Sequence, residues 1–359
     1  MLKGNKGEWS EIYALFKLLA DKTLKLGNEN VEIIKNAFYP IIKILRSESN
    51  GNFEYSIQDN IVVISGSNKT IKIPIQEFKT KSLTLLNAIK QSNETTFSIP
   101  EIEEFMRSIN CISLKASSSA KTDINIIIHD QRTNQQPTLG FSIKSQLGNP
   151  STLLNAGKTT NFIYKVENIE LDENKIEKIN TLDTHSKIKD RIQLIKDYGG
   201  RFKFISTEQQ IFSNNLILID SLLPDIVGEM IYDFYTSNRS KISDLISSIE
   251  NLNPIEFDNS NKHKFYSYKI KRFLTDVALG MMPSKVWTGD YDATGGYLIV
   301  KKDGEILCYH VYDKNEFENY LINNTKMDTA STSRYQFGKL YIDKGNLYFK
   351  LNLQIRFLK

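Results

Sequence analysis

Two apolar runs, separated by a polar segment, carry the clearest chemical signal in the sequence. Asp123 precedes the first run, residues 124–129, and Lys144 lies near the end of the second, residues 138–145. Residues 131–137 between them are polar and include a proline, which is typical of a turn. The pattern predicts an antiparallel hairpin that carries a carboxylate and an amine.

The position of the turn sets the predicted register of this hairpin. With the turn centred on residues 133 and 134, Asp123 faces Lys144 and Asn125 faces Ser142. Side chains alternate along a strand, so these four share one face and the opposite face is apolar. A slip of one residue would bury Asp123 and Lys144, which the alternation excludes. The alternative is an interaction domain in which the pair is a surface ion pair contributing only a few tenths of a kcal/mol.

Hydrolysis of a phosphodiester is the chemistry that such a polar face would support. Magnesium prefers carboxylate oxygens, neutralises phosphate charge and lowers the pKa of water. A lysine nearby orients or deprotonates the attacking water and stabilises the developing negative charge. We therefore predict that Asp123 binds the metal, that Asn125 adds an amide oxygen, and that Lys144 is catalytic.

A second acid lies on the first predicted helix. Apolar residues recur at helical spacing over residues 8–21, and Glu11 follows Gly7 by four positions. A solvated glutamate on an amphipathic helix is the simplest interpretation. The order of Glu11 on a helix, Asp123 before one strand and Lys144 on the next is nevertheless an ordered pattern.

This order resembles the PD-(D/E)XK nuclease superfamily, in which a helix acid, a strand Asp and an acid-x-Lys strand surround one or two magnesium ions. More closely, the chain resembles the HpaII family of type II restriction endonucleases. Three segments carry that likeness: GNKGEWSE at residues 4–11, GFSIKSQLG at residues 140–148 and LNLQIRF at residues 351–357. They span nearly the whole chain. The resemblance implies magnesium-dependent cleavage of double-stranded DNA within CCGG.

The sequence departs from the superfamily pattern at Ser142, which stands where the acid two residues before the lysine is expected. A hydroxyl is a poorer magnesium ligand than a carboxylate, so the site lacks one charge. We expect Glu11 to restore that charge and Ser142 to act beside Lys144. Asp130 is a rival for Asp123, but it lies at the turn and on the wrong parity. The missing acid also leaves open a catalytically weakened, sequence-specific DNA-binding protein on the same fold.

Polar loops that flank the hairpin suit contacts to DNA phosphates. Arg334, among small hydroxyl residues, is a candidate base or phosphate contact, because arginine bound to guanine is the commonest specific contact. Asp290 and Asp292 could accept from cytosine amino groups, although a solvated turn is the simpler explanation. The predicted DNA contacts are Ser118, Ser119, Lys121, Ser145, Gln146, Asn149, Ser333 and Arg334.

Composition sets the wider limits. The 359 residues are 40% hydrophobic and 25% charged, which is a globular balance, and the net charge is +4. Cys111 and Cys308 are the only cysteines, which argues for a reducing cytoplasm and against a disulfide framework. No membrane span or secretion signal is expected. Motifs of nucleotide-binding loops, zinc peptidases and serine hydrolases are absent from the sequence.

Helical and strand patterns alternate irregularly, which predicts an α/β (mixed α+β) fold. The expected core is a PD-(D/E)XK-like mixed β-sheet flanked by helices. Residues 1–236 are expected to form the catalytic region, and residues 237–359 a C-terminal α+β region that recognises DNA. One long helix is predicted over residues 208–235. A palindromic site favours a two-fold homodimer, and the cognate methyltransferase is expected to be encoded separately.

Overall fold

The computed structural model describes residues 1–66, 70–116 and 121–358. Ser118 and Ser119, two predicted DNA contacts, lie outside the described residues. The helices are α1 (Lys6–Asp21), α2 (Ile75–Gln91), α3 (Pro100–Ser108), α4 (Glu173–Thr181), α5 (Lys187–Asp197), α6 (Gln210–Ile219), α7 (Leu223–Thr236), α8 (Ile242–Leu252), α9 (Phe265–Leu279), α10 (Lys314–Asn323) and α11 (Thr332–Tyr335).

The strands are β1 (Thr23–Gly27), β2 (Ile33–Glu48), β3 (Gly51–Gln58), β4 (Ile61–Ser65), β5 (Ile71–Pro74), β6 (Ile124–Ile128), β7 (Thr138–Ser145), β8 (Thr152–Leu154), β9 (Asn161–Glu167), β10 (Arg201–Thr207), β11 (Gly296–Val300), β12 (Ile306–His310), β13 (Thr325–Met327), β14 (Leu340–Asp343), β15 (Asn346–Asn352) and β16 (Ile355–Phe357). The predicted mixed α+β class is therefore confirmed.

Helix α1 begins at Lys6, two residues before the predicted start, because Asn5 caps it. The Asn5 side chain accepts hydrogen bonds from the backbone N–H groups of Gly7 and Glu8, and the Glu8 carboxylate accepts from the backbone N–H of Asn5. Such a capping box satisfies helix-end donors that would otherwise lack partners. The cap fixes the first turn of α1, one turn before Glu11.

The largest sheet has nine strands in the order β1-β12-β11-β7-β6-β2-β3-β4-β5. Strand β1 also pairs with the first half of β2, so the pairings of six strands close into a ring. In the middle, β7 runs parallel to β11 and antiparallel to β6. The hairpin formed by β6 and β7 therefore lies inside a mixed sheet, as predicted.

The register of this hairpin differs from the predicted one by two residues. Ile124 lies opposite Phe141, and Asn125 lies opposite Gly140 rather than Ser142. The backbone N–H of Asp123 donates to the Phe141 carbonyl, so Asp123 lies beside Ser142 and not across from Lys144. The turn closes earlier than predicted, through a bridge between Asp130 and Gln135. A shift of two preserves the predicted faces, because strand side chains alternate with a period of two.

Two hydrophobic cores lie on opposite faces of this sheet. Along β11, Leu298 and Val300 belong to the core that α1, α2 and α3 cover, whereas Tyr297 and Ile299 belong to the other. Strands β11 and β12 follow residue 236 but complete the sheet of the hairpin, and β9 precedes it but pairs with β15 in a second sheet. A division at residue 236 therefore does not coincide with a division between the cores.

Residues 208–235, predicted as one helix, form α6 and α7, which meet at a bend of 109°. Asp220 ends the first helix, and its carbonyl and carboxylate accept hydrogen bonds from the backbone of residues 223 and 222. Pro224 then lies in the first turn of α7. In the described ranges no single helix is long and apolar enough to cross a membrane, although this bent pair passes on length and composition.

Candidate active site

The end of the β6–β7 hairpin fixes Asp123 through two hydrogen bonds to one carboxylate oxygen. Oδ2 of Asp123 accepts from the backbone N–H of Ile143 at 2.6 Å and from the Ser142 hydroxyl at 3.1 Å. Within the described residues, Oδ1 accepts no hydrogen bond. Asp123 is thus held in one orientation with an oxygen left for a ligand.

Lys144 is linked to Asp123 through the Ser142 hydroxyl. The Lys144 ammonium donates to Ser142 Oγ at 2.9 Å, and the same hydroxyl donates to Asp123. The ammonium also lies 5.2 Å from the centre of the buried Tyr297 ring on the neighbouring strand β11. Burial lowers the pKa of Lys144, whereas the charges of Asp123 and Glu11 oppose that shift. The neutral form of the Lys144 amine is therefore easier to reach than that of a lysine exposed to water.

Glu11, on α1, lies close enough to Asp123 and Lys144 for their charges to interact. The preceding residue, Ser10, is fully buried and donates from its hydroxyl to Ser145 Oγ at 2.8 Å, which fastens α1 to the end of β7. Burial, and next the negative charge of Asp123, raise the pKa of Glu11 to about 8. Two carboxylates that repel each other in a partly dry site are a pair that a cation would stabilise.

Cations close to Glu11 partly offset that repulsion, and neither was predicted from the sequence as a neighbour of Glu11. Lys115 and Arg46 both lower the pKa of Glu11. Arg46 is buried on β2 and pairs with the buried carboxylate of Glu48 at 2.6 Å. The Ser113 hydroxyl donates to the other oxygen of Glu48 at 2.6 Å. Residues two positions apart on a strand share one face, so the spacing of Arg46 and Glu48 was a readable sign of an ion pair.

The donor set fits a hard divalent cation with an incomplete protein shell. Glu11 and Asp123 supply two carboxylates, and the described residues contain no group of three His, Cys, Asp or Glu side chains able to hold a metal. Magnesium usually keeps several waters and binds one or two carboxylates plus phosphate, so two acids suffice. Asn125 lies opposite Gly140, farther along β6 from Lys144, and its role as a ligand stays a prediction.

Four of the predicted DNA contacts, Lys121, Ser145, Gln146 and Asn149, lie around the candidate active site. Burial, followed by the charge of Lys144, lowers the pKa of Lys121 to about 8, and Asp123 is among the charges that oppose the shift. Ser145 and Asn149 line a cavity of about 670 Å³ shared with the start of α1. Gln146 donates from its backbone N–H to the Val300 carbonyl, which extends β7 along β11.

Ser333 and Arg334 lie elsewhere. Both are on the short helix α11, whose Tyr335 carbonyl accepts a hydrogen bond from the Asn161 side chain of β9. Arg334 is exposed and stacks on the Tyr335 ring at 5.4 Å. No hydrogen bond or ion pair among the described residues joins α11 to Asp123. A contact of these two residues with DNA stays a prediction.

Comparisons with known proteins assign the chain to a protein family. The family model described as HpaII restriction endonuclease matches residues 5–357. The chain is 50% identical over 358 residues to the type II restriction enzyme HpaII of Haemophilus parainfluenzae, covering 99% of this chain and 98% of that protein. No solved structure matches. The protein is a type II site-specific deoxyribonuclease, and its substrate is DNA. It belongs to the HpaII restriction endonuclease family.

Proposed function

We propose that this enzyme hydrolyses phosphodiester bonds of double-stranded DNA with magnesium, at the palindromic sequence CCGG. The observation that carries the magnesium proposal is that Glu11 is partly buried and lies close enough to Asp123 for the two charges to interact: burial first, and next the charge of Asp123, raise the pKa of Glu11. The proposed sequence CCGG rests on family membership and on the 50% identity to HpaII.

Glu11 and Asp123 are the residues that would hold the ion. When bound, magnesium neutralises charge on the phosphate and lowers the pKa of water. Oδ1 of Asp123 faces no competing donor among the described residues, so it can bind without breaking the bonds that orient Oδ2. Glu11, with a pKa of about 8, must release its proton to take part. Cation binding at neutral pH should therefore release close to one proton.

Lys144 is the proposed catalytic amine. Its lowered pKa makes the neutral form more accessible, which suits acceptance of a proton from the attacking water, and its charged form stabilises negative charge on the phosphate. Ser142 holds the amine at 2.9 Å and links it to Asp123. In this proposal Ser142 positions Lys144 and does not replace the missing acid, a task that falls to Glu11.

Digestion of a plasmid with and without magnesium tests the proposal, with the fragment ends sequenced. We expect discrete fragments that end within CCGG, only in the presence of the ion. The test variant is Asp123→Asn, which neutralises the proposed ligand. Its matched control is Asp130→Asn, which neutralises the other acid of the same hairpin. Cleavage by the Asp123→Asn variant at the wild-type rate, or ends outside CCGG, would contradict the proposal.

The second candidate, a DNA-binding protein with weakened catalysis, is favoured by one observation, the serine at position 142. It predicts retarded DNA in a gel without cleavage at any magnesium concentration. A two-fold homodimer matched to a palindrome, which light scattering of the complex would detect, is a further part of the proposal. So is a methyltransferase encoded separately that protects the same site.

A further inference from the structure

A loop beside the active site has features that the catalytic role of the hairpin does not explain. Residues 281–291, here called the Trp287 loop, connect α9 to the segment before β11. The two ends of this loop meet, because the Leu279 carbonyl accepts hydrogen bonds from the backbone N–H groups of Asp292 and Ala293. A Cβ on Gly280 would lie 2.5 Å from the Asp290 carbonyl, so the closure requires glycine there.

The interior of the Trp287 loop is fixed by buried groups. Asn215 on α6, 3% exposed, donates from its side-chain amide to the carbonyls of Met282 and Lys285 and accepts from the backbone N–H of Trp287. The Trp287 indole N–H donates to the Asp290 carbonyl at 2.9 Å. Tyr291, stacked beside Trp287, donates to the buried Asp276 carboxylate at 2.6 Å. The loop is therefore ordered before any partner binds.

The tip of this ordered loop is exposed. Val286 is 77% exposed, the largest fraction for a large apolar side chain in the described ranges after Met1. Lys285 on one side and Asp290 on the other are also exposed, and the Thr288 hydroxyl orients the Asp290 carboxylate at 2.7 Å. A single exposed apolar side chain is common on protein surfaces. Such a side chain on a tip fixed by buried groups needs a further explanation.

The C-terminal end of the loop lies against the strands of the active site. The Asp292 carbonyl accepts from the hydroxyl of Thr122, the residue before Asp123, at 2.7 Å. Two residues on, the Thr294 hydroxyl accepts from the backbone N–H of Gly140, and the N–H of Gly295 donates to the Gly140 carbonyl. DNA with a phosphate at Asp123 would therefore pass close to this loop.

We propose that the Trp287 loop is a specificity element that enters a groove of the DNA next to the scissile phosphate. Lys285 binds a backbone phosphate, Val286 packs against base edges, and Asp290 accepts a hydrogen bond from a cytosine amino group. An aspartate is the acceptor that suits the cytosine amino group in the major groove. A preordered loop loses little conformational freedom on binding, which is the purpose that we assign to Asn215 and Trp287. The inference rests on DNA as substrate and on a cytosine in the recognised sequence, and it is independent of the metal.

Binding measurements on the full-length enzyme test the proposal. Two duplexes are compared by fluorescence anisotropy at several salt concentrations, without divalent cation and with Ca²⁺. One contains the sequence that the wild type cuts, and the other is a scrambled sequence. The loop variants are Lys285→Ala, Val286→Ala and Asp290→Asn. The matched controls are Lys79→Ala and Leu252→Ala, at an exposed lysine of α2 and at an apolar residue of α8 that is 70% exposed.

We expect the three contacts to separate. Lys285→Ala should weaken binding to both duplexes alike and reduce the slope of log K against log salt by about 0.9, the value for one phosphate contact. Val286→Ala and Asp290→Asn should weaken binding to the cleavable duplex alone, by about tenfold to a hundredfold.

A fourth variant, Asn215→Ala, loosens the loop without removing a DNA contact. It should weaken binding to the cleavable duplex while the fold, followed by thermal melting, persists. Loop variants that bind both duplexes as tightly as the two controls do would overturn the proposal. That outcome would leave the proposed metal-dependent cleavage untouched, because cleavage by the wild type is measured separately.

Discussion

Replacement of Glu11 by glutamine should stabilise the metal-free enzyme while it abolishes cleavage. The pKa of Glu11 is raised from 4.5 to about 8 by burial and by Asp123. Between pH 4.5 and about 8, the folded state therefore keeps a proton on Glu11 that the unfolded chain has already lost. The resulting stability is fully present below pH 4.5 and is lost as the pH rises through about 8. Glutamine carries no charge to bury, so the variant escapes this loss.

The magnitude follows from the two pKa values. Their separation corresponds to about 5 kcal/mol at full effect, since each pKa unit is worth about 1.36 kcal/mol. Glu11 is only partly buried, and solvent screens part of that energy, so we take about half, roughly 2.5 kcal/mol. At about 2.1 cal/mol/K of unfolding entropy per residue, a chain of this length should gain about 3 °C in Tm at pH 8 and above.

Thermal unfolding in the absence of divalent cations, followed from pH 5 to pH 9, measures this effect. The wild type should lose stability relative to Glu11→Gln as the pH rises, and the two curves should approach each other toward pH 5. Glu104→Gln, at an exposed position of α3, is the matched control and should follow the wild type. A Glu11→Gln variant that melts below the wild type at pH 8, or that still cuts DNA at a normal rate, would contradict this prediction.

The other predictions concern the hairpin and its support. Asp123→Asn should bind DNA but cleave it at least about a hundredfold more slowly, since the amide keeps an acceptor for Ile143 and loses the charge; cleavage and gel-shift assays on the same preparation measure both. Lys144→Ala should also lose about a hundredfold in single-turnover rate, with little change in Tm. Ser142→Ala should lose no more than about tenfold, because it removes only the link between Lys144 and Asp123. Arg46→Met should lower the free energy of unfolding by about 3–5 kcal/mol in a denaturant titration, because it leaves Glu48 buried and unpaired.

The sequence predicted the face of each hairpin residue and not its partner. Alternation of apolar residues determines parity alone, so a register shifted by two residues fits the pattern equally well. The early turn depends on Asn134 in the left-handed region, at φ 57°, and on the bridge between Asp130 and Gln135. Neither feature alters the periodicity of the strands. This is why Asp123 was placed across from Lys144 although it lies beside Ser142.

Convergence of Glu11 with Asp123 was beyond any spacing argument. More than a hundred residues separate them, and the family resemblance alone suggested that they meet. Strand β2, which carries Arg46 toward Glu11, escaped prediction because its first half does not alternate. It contains a left-handed Asn36 and a register shift between Ile41 and Lys43. The long helix predicted over residues 208–235 failed for a local reason, the Asp220 turn ahead of Pro224.

The two hydrophobic cores do not follow the predicted boundary at residue 236, because the chain passes from one core to the other and back. Leu298 and Tyr297 are neighbours in sequence yet belong to different cores, since a central strand contributes to both faces of its sheet. The candidate DNA contact Arg334 illustrates the same limit. Its hydroxyl-rich surroundings can be read from sequence, but its location on α11 depends on the second sheet.

A crystal structure of the enzyme with an uncleaved DNA duplex and Ca²⁺ would test the proposed metal site directly. We expect one cation between the carboxylates of Glu11 and Asp123, in contact with the scissile phosphate, and the Lys144 amine directed to the same phosphate. A cation held by Glu8 or by water alone, with the Glu11 carboxylate turned away from the phosphate, would contradict it.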